Sequence, residues 1–418
     1  MKGFYHKMEK NIKKREIFTE IFLIIIFFPI PSQILGYGVS LYLNEIFIVC
    51  FLLVLFYKRN YTINFTGTIK YLFAFLCLNF GGIIVAIVKG NTVNLNVFSG
   101  VFRIFLWVLL YNFFLNYLKK EISSLVEISR VLKKTLIIVL LLLLPFIAVE
   151  LFDLPGKIIL EKIYEMSKSG NIFQFYNRIV GPFRNPNFFG VWISIVLIYF
   201  LIERLDWKFK VFFLLECLIF IYFSGSRTAF VVSVFSIIFI IFTQNIVNFK
   251  ISNLRIFLTL AIVFLIVFYL SSRYTDLFYS VRFQSNNLSD WYTLGGRDVL
   301  WNQYDELIKE NMIIGNGLIK NIDIIFDNIY LQYIFYFGLP GLIILGLFLV
   351  KNFLFNLYLI FTNRSDIILL FCLGIQMIII ISGFTIQILD ATQISVWYWF
   401  ALAYIDYYKE KKDNKLSI

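Results

Sequence analysis

Arginine beside asparagine or serine at the foot of an apolar run can grip an anion, and this chain carries that pairing twice. In Gly181-Pro182-Phe183-Arg184-Asn185-Pro186-Asn187-Phe188-Phe189-Gly190, Pro186 cannot lie inside a helix and biases Asn185 toward extended geometry, so a helix is expected to follow with Asn187 as its N-cap. Arg184 then stands at the mouth of a helix N-terminus. Free N–H groups and the helix dipole favour an anion there, and a guanidinium fork can hold phosphate with two hydrogen bonds. The same side chain could instead snorkel to a lipid headgroup. In Phe223-Ser224-Gly225-Ser226-Arg227-Thr228-Ala229, a tight turn between two apolar runs, Ser226 can cap the next helix and Arg227 enters its first turn. The dipole disfavours a cation at that place, unless an anion, substrate or headgroup, sits between them.

Two further groupings lie downstream. Arg273, Arg282, Asp290, Gly295-Gly296-Arg297-Asp298, Trp301 and Gly315-Asn316-Gly317 share one long hydrophilic stretch. From Arg297 to Lys309, Leu300, Tyr304, Leu307 and Ile308 fall on one helical face, which predicts an amphipathic helix on the membrane surface; a plain surface helix would carry the same pattern. Asp327-Asn328-Ile329-Tyr330-Leu331 opens another apolar run. Asp327 there can be a simple N-cap, or a general base whose proton affinity is tuned by burial and nearby arginines. Arg103, Glu150 and Glu216 are charges inside or at the ends of apolar runs, and such residues are functional candidates by default. The one histidine, His6, lies in the basic N-terminal tail, and Cys50, Cys77, Cys217 and Cys372 fall singly in apolar runs. Neither a disulfide framework, a metal site nor a cofactor is expected from them.

The elements that must position these residues follow from composition. Hydrophobic residues make up 60% of the 418, charged residues 15%, phenylalanine alone 50, and mean hydropathy is +0.81, more apolar surface than a water-soluble core could absorb. A bilayer core about 30 Å thick needs about 20 apolar residues per helix, and such windows recur about twelve times along the chain. The expected fold is therefore all-α, a single polytopic membrane domain over residues 1–418. Its two long hydrophilic segments, 155–186 and 273–327, are expected on the outer face. Lysine and arginine concentrate in alternate loops, beginning with Lys2, Lys7, Lys10, Lys13, Lys14 and Arg15, which predicts cytoplasmic N- and C-termini and an uncleaved first helix. The net charge of +12 reflects that topology and contact with anionic lipid; no nucleic-acid motif accompanies it. Paired broken helices in matching halves, the mark of an inverted-repeat transporter, are not seen in the sequence.

The run of motifs from Gly181 to Gly190, Ser224 to Ala229, Gly296-Arg297 with Trp301, Gly315 to Gly317, and Asp327 to Leu331 with Gly338 and Gly341 resembles, in order, the bacterial O-antigen ligase and polymerase family over residues 180–345. Members are multispanning GT-C-class glycosyltransferases of the cytoplasmic (inner) membrane that take a glycan from undecaprenyl pyrophosphate and pass it to an acceptor sugar. The resemblance implies that Arg184 and Arg227 grip the pyrophosphate, with Arg297 supporting them and Asn187 and Asn328 beside them, and that no metal is needed. The ligase branch has a histidine where this chain has Asp327. That substitution favours the repeat-unit polymerase branch and makes Asp327 the positional match for the base, with Asp298 and Asp290 as rivals. The implied partners are two undecaprenyl-pyrophosphate-linked oligosaccharides, membrane lipid, and a chain-length regulator and flippase of the same pathway. Two alternatives stay open at this point: a ligase acting on a lipid, protein or wall acceptor, and a polysaccharide flippase or transporter.

Overall fold

The computed structural model describes residues 21–28, 43–91, 97–122, 124–152, 178–183, 185–248, 297–319, 327–362 and 366–416. Among these there are twelve helices and no strand. They are α1 (21–27), α2 (Leu43–Arg59), α3 (Gly67–Val88), α4 (Val97–Lys120), α5 (Leu125–Leu151), α6 (Pro186–Ile202), α7 (Trp207–Ser224), α8 (Arg227–Asn248), α9 (Arg297–Glu310), α10 (Ile329–Thr362), α11 (Ile367–Ser382) and α12 (Thr392–Leu416). The protein is thus an all-helical, membrane-embedded chain: α3, α4, α5, α8 and α10 are each long and apolar enough to cross a bilayer, and α6 and α11 are shorter apolar helices. The apolar run at 255–272, one of the twelve expected spans, lies outside the described residues.

Burial separates the helices that face lipid from those that form the interior. In the spanning windows of α3 and α5 only 28% and 33% of residues are buried, against 72% in α4, so large apolar side chains such as Phe73, Phe80 and Ile84 point outward from α3. An outward-facing apolar surface of this kind is stable only in hydrocarbon. At the other extreme α6 is apolar on every side and buried from Phe189 to Ile202, packing against α7, α8 and α11. Beside it α12 packs against α4 and α11, and aromatic rings fill the junction: Phe27 stacks on Trp397 at 3.9 Å and Trp107 on Trp399 at 5.2 Å between centroids.

Helix ends are set by local chemistry. Ser124 caps α5 by accepting from the Glu127 amide, and Asp366 caps α11 by accepting from Ile368 and Leu369. Basic residues gather at one end of the bundle, where Arg59 closes α2, Lys119 and Lys120 close α4, and Lys133 lies in the third turn of α5. Arg59 pairs there with Glu121, Lys119 with Glu410 and Lys133 with Glu203. The arginine motifs lie at the opposite end.

Candidate functional site

Segments far apart in sequence meet where α6, α8 and α10 begin. Asn185 is extended (φ −133°, ψ 124°), its Oδ1 accepts from the Asn187 amide at 2.8 Å, and Pro186 occupies the first helical position. The cap is therefore Asn185 and not Asn187. The physical reason is the proline itself, which holds the residue before it in the extended geometry that an N-cap requires and needs no donor at its own position. Asn187, freed from capping, accepts a hydrogen bond from Nη2 of Arg178 at 3.0 Å.

Arg178 ties two motifs together. Its Nε donates to the Ser224 carbonyl at 2.6 Å, and the backbone continues the contact through the Ile179 amide, which donates to the Phe223 carbonyl at 3.0 Å. Gly225 ends α7 in the left-handed conformation (φ 56°), and a methyl group there would meet the Arg178 side chain at 3.1 to 3.3 Å. On the other side Glu150, near the end of α5, accepts from the amides of Val180 and Gly181 at 2.8 and 3.1 Å. Glu150 thereby has a definite task, pinning the segment that carries Arg178.

The first turns of α6 and α8 are in contact. A methyl group on Gly190 would lie 2.6 Å from Cβ of Ala229 and 2.8 Å from Oγ of Ser224, so only hydrogen fits between them. Ser226 caps α8, as its position suggests, by accepting from the Ala229 amide at 3.1 Å, and half-buried Arg227 is the first residue of that helix. Thr228 donates to Oγ1 of Thr385 at 2.9 Å, which brings in the turn between α11 and α12. The same turn receives α10, because the Ile329 amide donates to the Gly383 carbonyl at 2.9 Å.

At the start of α10, Asn328 is the cap: its Oδ1 accepts from the amides of Tyr330 and Leu331 at 2.9 and 3.2 Å, and the residue is buried. Asp327 stands immediately before it, half-buried and not needed for capping. One turn into α10, Gln332 donates to Oδ2 of Asp390 at 3.3 Å. Arg103 of α4 lies 4.0 Å from the other Asp390 oxygen and donates through Nε to fully buried Glu45 at 3.3 Å; Thr392 also donates to Glu45.

No protein-family model matches this chain. No curated protein matches it either.

The chemistry available at this end of the bundle follows from the parts. The N-termini of α6, α8 and α10 bring three positive dipole ends into one connected cluster, with the Arg178 guanidinium beside α6 and Arg227 as the first residue of α8. Carboxylates flank it at Asp327 and Asp390, the latter with 32% of its side chain exposed. Among the described residues no three of His, Cys, Asp and Glu stand close enough to hold a metal ion.

Of the residues singled out in the sequence, Arg227, Asn187, Asn328 and Asp327 join this cluster. Arg184 lies outside the described residues, as do Arg273, Arg282 and Asp290. Arg297 is the first described residue of α9, a helix that packs against α10. On α9 Tyr304 is buried against Phe335 with Ile308 beside it, as the amphipathic pattern requires, whereas Leu307 is turned outward and 41% exposed. On the polar side Asp305 accepts from Lys309, and that hydrogen bond holds the ammonium above its ordinary pKa. Arg178, Gln332 and Asp390 were not legible as site residues. Arg178 precedes the first motif by three positions with no local feature to mark it, and Asp390 is a lone carboxylate between two apolar runs.

Proposed function

We propose that the protein is a membrane glycosyltransferase that polymerises undecaprenyl-pyrophosphate-linked oligosaccharide repeat units. The reading places it in the cytoplasmic membrane with the arginine end of the bundle facing outward and with a GT-C-like architecture. The observation that supports it most is the joining of three separate motifs, at residues 181–190, 224–229 and 327–331, into one cluster that combines helix N-termini with Arg178 and Arg227. The gathering of lysine and arginine at the opposite end is what the positive-inside rule gives for that orientation.

In the proposed reaction a hydroxyl oxygen of the acceptor repeat unit attacks the anomeric carbon of the donor glycan. The bond from that carbon to the pyrophosphate oxygen breaks, and its electron pair leaves on the pyrophosphate. Arg227, Arg184 and the helix N-termini stabilise the charge that develops there, as fixed donors in a partly dry site do most effectively. The hydroxyl proton passes to a carboxylate, for which Asp327 is the first candidate: it immediately precedes Asn328, the cap of α10, and is half-buried. Asn187 and Asn328 act by placing Arg178 and the start of α10.

Deleting the gene and measuring undecaprenyl-linked glycans by mass spectrometry tests the reading. Single repeat units on the carrier, cleared by wild-type complementation and not by Arg227→Ala, are the expected result. Complete polymer retained on the carrier would assign a ligase instead, and an unchanged pool would remove the glycosyltransferase reading.

A further inference from the structure

The segment that follows α9 exposes three consecutive large apolar side chains, Met312 at 43%, Ile313 at 74% and Ile314 at 63%, in a stretch otherwise bounded by charge. Asp305, Glu306, Lys309 and Glu310 are exposed on the helix just before it. Exposed apolar residues in a water-facing turn cost free energy in proportion to their area, so their position in the fold matters.

That position is fixed tightly. The amides of Asn316 and Gly317 donate to the carbonyls of Phe335 and Tyr336 at 2.7 and 3.0 Å, the Leu339 amide donates to Met312 at 2.8 Å, and the Leu318 amide donates to Gly82 of α3 at 2.9 Å. Lys89, capping the end of α3, donates through Nζ to the Gly315 carbonyl at 2.9 Å. The exposed tip is therefore held beside the last two turns of α3 and the break in α10 at Gly338, whose backbone (φ 65°, ψ −161°) is not helical. Both helices are long and apolar enough to span a bilayer, and both turn apolar residues outward at this level: Ile84, Ile87 and Val88 on α3, and Ile343 on α10. The tip adjoins that surface, joined to α3 through Leu318 and Gly82 and through Gly315 and Lys89, and exposed charged residues of α9 precede it.

We infer that Met312, Ile313 and Ile314 form a wedge that inserts into the bilayer between the acyl chains and the headgroups, and that this wedge holds α9 in the plane of the interface. The occupant of the surface is lipid. The argument is continuity with the lipid-facing sides of α3 and α10, together with the change from apolar to charged side chains over one helical turn, which matches the change in polarity across a membrane interface. The inference is independent of the reaction the protein catalyses.

Spin labelling in proteoliposomes tests it. Cys50 and Cys77, the exposed cysteines, are replaced by alanine, and single cysteines are introduced as Ile313→Cys, Ile84→Cys and Asp305→Cys, with Met312→Cys and Ile314→Cys as repeats should the first variant fail to fold. Collision rates with oxygen, which concentrates in lipid, and with a water-soluble nickel chelate are then compared by power saturation. A label at residue 313 that favours oxygen over the chelate, at a depth between those of residues 84 and 305, is the expected result. Chelate accessibility equal to that at 305 would place the tip in water and overturn the inference. Low accessibility to both reagents would mean that protein, from this chain or a second copy, covers the tip, and would overturn it equally.

Discussion

Arg178 and Asn187 are joined by a 3.0 Å hydrogen bond from the guanidinium Nη2 to the side-chain carbonyl, nine residues apart in the chain and on either side of a proline turn. Because the same guanidinium donates at 2.6 Å to the Ser224 carbonyl, one side chain aligns the first turn of α6 with the end of α7. A lysine has the charge without the planar fork, and so cannot make both bonds in this geometry.

Arg178→Lys is therefore expected to lower glycan lengthening in proteoliposomes at least tenfold while leaving the donor lipid intact. Hydrogen bonds from charged donors contribute about 1.5–3 kcal/mol each, so Arg178→Ala should also lower the melting temperature in detergent. Wild-type activity in both variants would show that the alignment is not needed.

Arg227 sits at a helix N-terminus where its own charge opposes the dipole. Its removal should leave thermal stability near the wild-type value and reduce the rate by about 100- to 1,000-fold, the cost of losing one fixed donor to a developing anion. Arg184→Ala is expected to match it. A loss of stability in Arg227→Ala at unchanged rate would assign the residue to packing alone.

Asp327 and Asp390 should behave differently. Asp327→Asn removes the candidate base and is expected to cut the rate about 100-fold or more. Asp390→Asn removes a partner of buried Arg103 and should act mainly on stability. The reverse pattern, a large loss of rate in the Asp390 variant and little in the Asp327 variant, would move the base to Asp390.

Three glycines, Gly315 and Gly317 after the wedge and Gly338 in α10, let this segment pack closely on α10 and α3. Gly315, Gly317 and Gly338 all have positive φ, at 81°, 77° and 65°, and a methyl group on any of them would lie 2.5 Å from a backbone atom. Left-handed geometry costs a non-glycine residue about 1–2 kcal/mol, and forced repacking about 1–3 kcal/mol more. Each glycine-to-alanine variant should thus unfold at a markedly lower temperature. Gly346→Ala, on the same helix with open space around it, should not. Equal melting temperatures for Gly317→Ala and Gly346→Ala would contradict the seam.

The residues differ in how far the sequence alone reached them. The apolar runs and their ends were legible because hydropathy and capping act over a few neighbouring residues: Arg227–Asn248 and Ile329–Thr362 begin where the sequence places a helix, and Ser226 caps as its position implies. The choice of Asn185 over Asn187 was also local, and turned on giving the proline's effect on its predecessor more weight than the spacing to the apolar run.

What tertiary structure alone decided is which of these ends meet. Arg178 reaches Ser224 across 46 residues, Arg103 meets Glu45 across 58, and Thr228 meets Thr385 across 157. Composition fixed the solvent as lipid and made helices obligatory, since every backbone donor in hydrocarbon must be satisfied within its own segment. Helix order in space is set instead by side-chain fit, by close approaches such as Gly190 to Ala229 and by polar contacts at helix ends. These depend on pairs of residues that no local pattern couples, and so Arg227 could be expected from its motif, whereas Arg178 and the meeting of the motifs came only with the fold.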